Sequence, residues 1–475
     1  MDKIIEKIAS VNDVVNGAVW GLPGLILLIG TGVLLTVGTK FFQVSHIGHW
    51  WKQTIASIFK KDSKSTKNND KKAISQFQAL CAALAATVGT GNIAGVASAI
   101  VTGGPMYYLK DGLGKRYGKK WLQPVAGVLA VLFSCFAILA SFGIGNMAQV
   151  NKIVLNMDAA FFQNVSLGMI PGTQIDIIHL LIGIGLLVIG ALIIIGGLQR
   201  IAKVAEVVVP FMAVLFVIGS LVIFGMNIDQ VGAMFGSIFK FAFEPAAFLG
   251  GGIGVLIKKT MTQGFKRGVF SNEAGLGSSV LVHSSSNVKE PVKQGMWGIF
   301  EVFFDTFVVC TMTAIVVLST GFIDLATGMP VDGANGDTLV SQAFGLCFGP
   351  AGTWFVAIAM LFFAFTTVLG WSQYGSKAVE YLFGIKGVKV YRFIFVAMIV
   401  SGAVMEGGLA WDLSDTFNGL MMIPNLIGVV ALLPLVLKIV KNYVDRKING
   451  KDIAPMLSND PEIQKEMEAR SDEDM

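Results

Sequence analysis

Residues 75–103 read SQFQALCAALAATVGTGNIAGVASAIVTG, and the reading of this run decides the fold. It carries no charged residue and is longer than the ~20 apolar residues that cross a bilayer as a helix. Its centre, Thr87-Val88-Gly89-Thr90-Gly91-Asn92, is a poor helix former. A Gly-Thr-Gly-Asn break would free backbone carbonyls and amides at mid-membrane, where they are tolerated only if they line a cavity or hold a ligand. Freed N–H groups suit a carboxylate, and freed carbonyls suit Na⁺. A packing role stays open, because Gly91 and Gly95 form a small-xxx-small pair that lets helices approach. A dinucleotide-binding reading of Gly89-Thr90-Gly91 fails, since no strand or βαβ pattern surrounds it.

The rest of the chain has the same membrane character. Of 475 residues, 54% are hydrophobic and only 14% charged, against ~25% charged in soluble domains. Mean hydropathy is +0.68. Such a chain cannot clothe a water-facing surface. Ten apolar runs are long enough to span: 17–39, 75–103, 121–149, 177–198, 205–226, 235–257, 296–320, 352–376, 391–410 and 414–437. The first has no cleavage pattern after it and reads as a retained helix. Cys81, Cys135, Cys310 and Cys347 lie far apart and read as small apolar residues. The residues from Arg446 onward read as a solvated tail.

Basic residues mark the cytoplasmic side. Loop 40–74, with Lys40, Lys52, Lys60, Lys61, Lys64, Lys67, Lys71 and Lys72, is therefore inside and the N-terminus outside. Arg200, Lys203, Lys258, Lys259, Lys266, Arg267, Lys289, Lys293, Lys377, Lys386, Lys389, Arg392 and the C-terminal Lys438, Lys441, Arg446 and Lys447 are also expected inside. One loop breaks the alternation. Residues 104–120 should emerge outside, yet they hold Lys110, Lys115, Arg116, Lys119 and Lys120. Termini on opposite sides also require an odd number of crossings, and ten is even. Both conflicts vanish if one crossing is absent between Gly104 and Lys110.

The string Thr87–Ile100 resembles the first signature of the alanine or glycine:cation symporter family, the sodium:alanine symporters. Ser141-Phe142-Gly143-Ile144-Gly145-Asn146-Met147-Ala148-Gln149 is similar to that family's third core helix, and Arg200-Ile201-Ala202-Lys203-Val204-Ala205-Glu206 to the entrance of its fifth. Gly268-Val269-Phe270-Ser271-Asn272-Glu273-Ala274-Gly275-Leu276-Gly277 resembles its second signature, and 305–314 is similar too. The resemblance runs from about residue 17 to 440. It implies an all-α polytopic protein with a LeuT-like five-plus-five inverted-repeat core, an extra N-terminal helix and eleven spans. It further implies symport of small neutral amino acids with Na⁺ or, in some members, H⁺. The family has two Gly-Gly-Pro runs flanking core helix two; here Gly103-Gly104-Pro105 runs straight into Met106-Tyr107-Tyr108, as though the two had fused and that helix were gone. Ten spans replace eleven. The expected divisions are 1–40 (peripheral helix), 41–74 (basic cytoplasmic loop), 75–226 and 227–440 (the two repeats) and 441–475 (charged cytoplasmic tail).

Carried over residue by residue, the resemblance gives Thr87, Gly89, Thr90, Gly91 and Asn92 to the substrate, its carboxylate resting on the backbone of Gly89–Gly91. Asn146 and Gln149, three apart on a helix, are either amide ligands or interhelical glue. Trp371 is expected to cap the side-chain pocket unless it faces lipid, and Gly251, in Gly250-Gly251-Gly252, marks the second break. Sodium would take the carbonyls of Ala85 and Val88 and the hydroxyls of Thr366 and Thr367, neutral oxygens that leave a hard ion exchangeable. Glu301 and Asp305 share a face as a coupling pair or as anchors for loops. Glu273 is expected in an inner loop, and Asp415 solvated near an outer end. No hydrolase elbow, zincin motif or phosphate loop is present, and no nucleic-acid partner is implied. The expectation is a plasma-membrane symporter of alanine or glycine, not an enzyme, with no cofactor beyond Na⁺ as coupling ion. The alternative is a family member left inert or leaky by its missing helix.

Overall fold

The computed structural model describes residues 2–58, 74–86, 104–113, 121–243 and 264–469, apart from residues 164, 172, 274, 287, 335, 337, 406–408 and 459. Thr87, Val88, Gly89, Thr90, Gly91, Asn92 and Gly251 lie outside the described residues. Among those described, regular structure is helical, with three isolated bridges and no strand ladder. Seven described helices are long and apolar enough to cross a bilayer. This is a polytopic all-α protein.

The helices follow the apolar runs. They are α1 (Asp2–Val19), α2 (Leu22–Gly38), α3 (Ile47–Gln53), α4 (Gln76–Ala86), α5 (Leu122–Phe142), α6 (Ile177–Ile194), α7 (Leu198–Met226), α8 (Val231–Phe243), α9 (Pro291–Val302), α10 (Leu339–Phe348), α11 (Pro350–Val404), α12 (Leu409–Lys447) and α13 (Pro461–Ala469). The runs at 75–103 and 235–257 are described only through α4 and α8. A straight helix of 55 residues would be about 80 Å long, far beyond a ~30 Å hydrocarbon core. Gly384, at φ 70°, breaks α11 into two rods. The second folds back on the first, with the Tyr391 ring at Gly375 and Arg392 at Ser376.

Polarity is arranged for lipid. Leu192, Val207, Ile218 and Phe393 are exposed, whereas Ser134, Ser141, Asn146, Ser372, Gln373 and Asn425 are buried. Small and polar side chains face the bundle interior, where hydrogen bonds and close backbone approach hold helices together.

Helix α12 serves as a ruler for depth. The Trp20 indole donates to the Asp415 carbonyl at 3.1 Å, and Gly38 sits against Leu437, so α2 runs parallel to α12. Lys40 therefore shares a face with Lys438, Lys441 and Arg446, as the charges require. Helix α5 ends at the opposite level, with Gly143 against Ser414. Between them, residues 104–113 descend along α12 toward the basic face: the Tyr108 hydroxyl donates to Asn425, and Gly112 meets Leu432. Ile74 also lies toward that face, its N–H bonded to the Ser285 carbonyl at 3.2 Å, close to the Glu290–Arg446 ion pair. The chain is thus at one face at Ile74 and heading back to it at Leu113. Lys110 therefore lies toward the face that holds Lys438, Lys441 and Arg446.

Four expectations need correction. Lys266 Nζ is 2.7 Å from Asp415 Oδ2, with Arg267 Nη2 at 3.7 Å. Asp415 is 4% exposed, so it is paired rather than solvated. Lys266 and Arg267 consequently lie at the end of α12 opposite Arg446 and cannot share a face with Lys289 and Lys293. Asp415 and Arg446 are about 46 Å apart along α12, close to the full thickness of a bilayer with its headgroups. The run from Lys266 to Glu290 covers this depth. An unbroken helix of that length would reach only about 36 Å, so part of it must be extended. That part carries Glu273 (φ 48°), Gly275 (φ 79°) and Gly277 (φ 82°), with Gly277 against Asn425 at mid-helix. Glu273 therefore sits in a buried break and not in an inner loop. Finally, the tail is folded: Leu457 and Met467 are fully buried, and Asn442 binds the Ala454 carbonyl and the Met456 N–H.

Candidate functional site

The Phe142-Gly143-Ile144-Gly145-Asn146 run is where α5 opens into a π-turn, Gly143–Met147. The extra residue in such a turn re-aims side chains. Asn146 is fully buried; its Nδ2 donates to the Phe395 carbonyl at 2.6 Å, and its Oδ1 has no donor among the described residues. Gln149 turns the other way and donates to the Ile144 carbonyl at 3.1 Å, closing the π-turn itself. The spacing of three thus does not aim both amides at one point.

Trp371 is 3% exposed and packs in the main core with Ile144, its ring edge-on to Tyr374 at 5.3 Å. This excludes a lipid-facing tryptophan. The contact requires Gly145: a methyl there would lie 2.4 Å from Trp371 atoms. Asn146 and Trp371, from α5 and α11, are therefore brought to one place, next to an absent side chain.

Thr366 is buried and donates to the Phe362 carbonyl at 2.8 Å; Thr367 donates to the Phe363 carbonyl at 3.0 Å. With each hydroxyl proton committed, the oxygen lone pairs remain free to face a cation. Ala85 packs in an apolar cluster that includes Phe362 and Phe363, so α4 meets α11 one turn before the threonines. Ala85 shares that cluster with the residues before Thr366; Val88 is outside the described residues.

The intramembrane carboxylates act as anchors. Glu301 Oε2 is 2.8 Å from His283 Nε2, both fully buried. Gln294 Nε2 lies 2.7 Å from His283 Nδ1, and Ser286 Oγ donates to Gln294 Oε1 at 2.9 Å. With Gln294 Oε1 accepting, its amide donates to Nδ1, and the His283 proton lies on Nε2 toward Glu301. Asp305 Oδ2 accepts from Ser271 Oγ at 2.8 Å, and Ser278 donates to Glu273. Apart from the Ser278–Glu273 bond, which is internal to it, these contacts tie the 264–290 run to α9 and its continuation. His283 was not legible as a partner, because it lies 18 residues from Glu301 in no motif; only the rule that a membrane carboxylate needs a partner pointed there.

The sodium:alanine symporter family model matches residues 5–105 and 100–456. The chain belongs to the sodium:alanine symporter family. The two matches share residues 100–105, so the run ending in Gly103-Gly104-Pro105 is matched twice, as a fused pair of Gly-Gly-Pro copies would be. The sodium/alanine symporter AgcS of Methanococcus maripaludis is 37% identical over 487 residues, covering 93% of this chain and 98% of that protein. An uncharacterized transporter of Haemophilus influenzae is 38% identical over 488 residues, covering 94% and 98%. The probable sodium/glutamine symporter GlnT of Bacillus subtilis is 33% identical over 491 residues, covering 95% and 93%. Each alignment is longer than this 475-residue chain, so positions in each relative face no residue here. This family member is a multi-pass membrane transporter whose relatives are named as amino-acid symporters.

Proposed function

We propose that the chain imports small neutral amino acids of alanine or glycine size with Na⁺, through a LeuT-like five-plus-five core reduced by one helix. The carrying observation is the meeting of Asn146 and Trp371 at Gly145. Asn146 Oδ1 is a buried acceptor without a donor, which suits the substrate ammonium. Trp371 stands where a longer side chain would have to go, so the pocket favours a hydrogen or a methyl. The backbone of Gly89–Gly91 would hold the carboxylate, with Thr87, Asn92 and Gly251 completing the site and Gln149 shaping it through the π-turn. Sodium would sit on Thr366, Thr367 and the Ala85 and Val88 carbonyls; a proton in its place is the variant coupling. The charge pattern supports a plasma-membrane orientation with the N-terminus outside and the C-terminus cytoplasmic.

Uptake of labelled alanine into transporter-deficient cells, in Na⁺ and in choline, tests this reading. Thr366→Val keeps the shape and removes one oxygen, so the Na⁺ concentration for half-maximal uptake should rise at least about tenfold, the worth of one lost ligand of ~1.4 kcal/mol. Sodium-independent or absent uptake by protein that is inserted and folded refutes the proposal and leaves the inert or leaky alternative.

A further inference from the structure

We propose that the turn joining α6 to α7, together with the kinked part of α11, forms a binding site for a phosphate-bearing anion on the basic face. A cavity of about 310 Å³ opens there, lined by Leu198, Gln373, Ser376, Lys377 and Arg392 among others. Its charged side chains are Lys377, Arg392 and Glu380. Gln373 is 3% exposed, and its Nε2 lies buried without an acceptor among the described residues. A buried donor left unsatisfied costs ~1–3 kcal/mol, so the site is built for something that accepts. Arg392 donates through Nε toward Ser376 Oγ at 3.4 Å, and its guanidinium lies against the turn at Gly197. That turn needs glycine: Gly197 has φ 74°, and a methyl there would lie 3.3 Å from Arg392 Nη1.

The cavity also contains the start of α7, a 29-residue helix whose N-cap, Gly197, offers no side-chain cap. The helix dipole favours an anion at this point. The carboxylate in the lining, Glu380, is 37% exposed at its side chain and lies 3.4 Å from Lys377, so its charge is at the rim and already opposed. Arg392 and Lys377 leave a net positive cavity.

Two sources carry the same phosphate oxygens, an anionic phospholipid headgroup and free phosphate. The surroundings favour the lipid. Leu192 (65% exposed) and Ile195 (69%) on one side, with Ile385 (69%) and Phe393 (78%) on the other, offer acyl chains an apolar surface next to the cavity.

The full chain in detergent micelles, mixed with phosphatidylglycerol or phosphatidylcholine, is examined by native mass spectrometry; inorganic phosphate is tested separately by thermal shift against chloride. Phosphatidylglycerol should be retained preferentially. Gln373→Met and Arg392→Gln should each weaken retention about tenfold while remaining monodisperse. Lys203→Gln, which removes a charge from the same face outside the cavity lining, should leave it unchanged. Stabilisation by phosphate with no preference between the two lipids also supports the site and assigns it a soluble occupant. The proposal is overturned if neither ligand exceeds its control, if both cavity variants bind as the unmodified chain does, or if Lys203→Gln loses as much as they do. Each readout is binding, so the outcome stands whether or not the chain transports alanine.

Discussion

Arg446 pins the Glu290 end of the 264–290 run to α12, and breaking this pair gives a prediction with a magnitude. Arg446 Nη1 donates to Glu290 Oε1 at 2.7 Å and Nη2 to Oε2 at 3.0 Å, a bidentate pair with both side chains 11% exposed. Arg446 is also held by Asn442 Oδ1 at 2.8 Å, the same amide that binds the folded tail. Arg446→Met removes both charge-assisted bonds and leaves a largely buried carboxylate alone. Losing one partner of a fully buried pair costs ~3–5 kcal/mol, and nearness to the aqueous end lowers this to roughly 2–4 kcal/mol. Adding Glu290→Gln removes the stranded charge, so the double variant should recover part of the loss, with a coupling of about 1.5–3 kcal/mol. The exposed Lys451–Asp445 pair, whose lysine side chain is 58% exposed, is the internal control and should show less than about 1 kcal/mol. Equilibrium unfolding in mixed micelles measures all of these. A Glu290–Arg446 coupling no larger than the control's would mean that the 264–290 run is not pinned at this end, and the depth assigned to it would fail.

Three more expectations follow from the same geometry. A cysteine introduced at Lys110, in a background without the native cysteines, should be labelled by impermeant maleimide only from the side that labels one at Lys441; labelling from the opposite side would refute the shared face of these two residues. Deleting the chain after Asn449 uncovers the sites of Leu457 and Met467, each worth ~1.5–3 kcal/mol when fully buried, so melting should fall clearly. An unchanged melting curve would show the tail to be loosely attached. His49, on α3 outside the spanning segments, bonds the Tyr443 hydroxyl at 3.1 Å. Burial, with the charges of His46, Lys52 and Lys293 adding, holds its imidazole below the ordinary 6.5. The folded state therefore favours the neutral ring: its contribution is complete above 6.5 and is lost as pH falls through the lowered value. His49→Gln should flatten the pH dependence of melting between 7.5 and 5, and an unaltered slope would remove His49 as its cause.

Much of this was legible because the bilayer is a severe solvent. The apolar runs foresaw α2 and α6 near their observed limits and fell mostly within the longer α7, α11 and α12, since a backbone in lipid has few options besides a helix. Gly143-Ile144-Gly145-Asn146 stood out because glycine inside a spanning run has to be explained, and it proved to be a π-turn closed on Trp371. The charges on Lys266 and Arg267 misled for a physical reason. The positive-inside pattern is a statistical bias of short loops, and a local partner such as Asp415 overrides it. Glu273 and Asp415 were misplaced for the same cause: pairing between distant segments is not encoded in spacing.

By itself the sequence determined the solvent, the helical class, the family and the anomaly at Gly103-Gly104-Pro105. Each follows from local composition, short motifs or the parity of crossings, which need no knowledge of neighbours. Only the tertiary structure decided which side chains meet: Asn146 with Phe395, His283 with Glu301, Lys266 with Asp415, and Gln373 beside Arg392. Those encounters join residues up to 249 positions apart, and they are set by which helix faces pack once the apolar surfaces have been given to lipid.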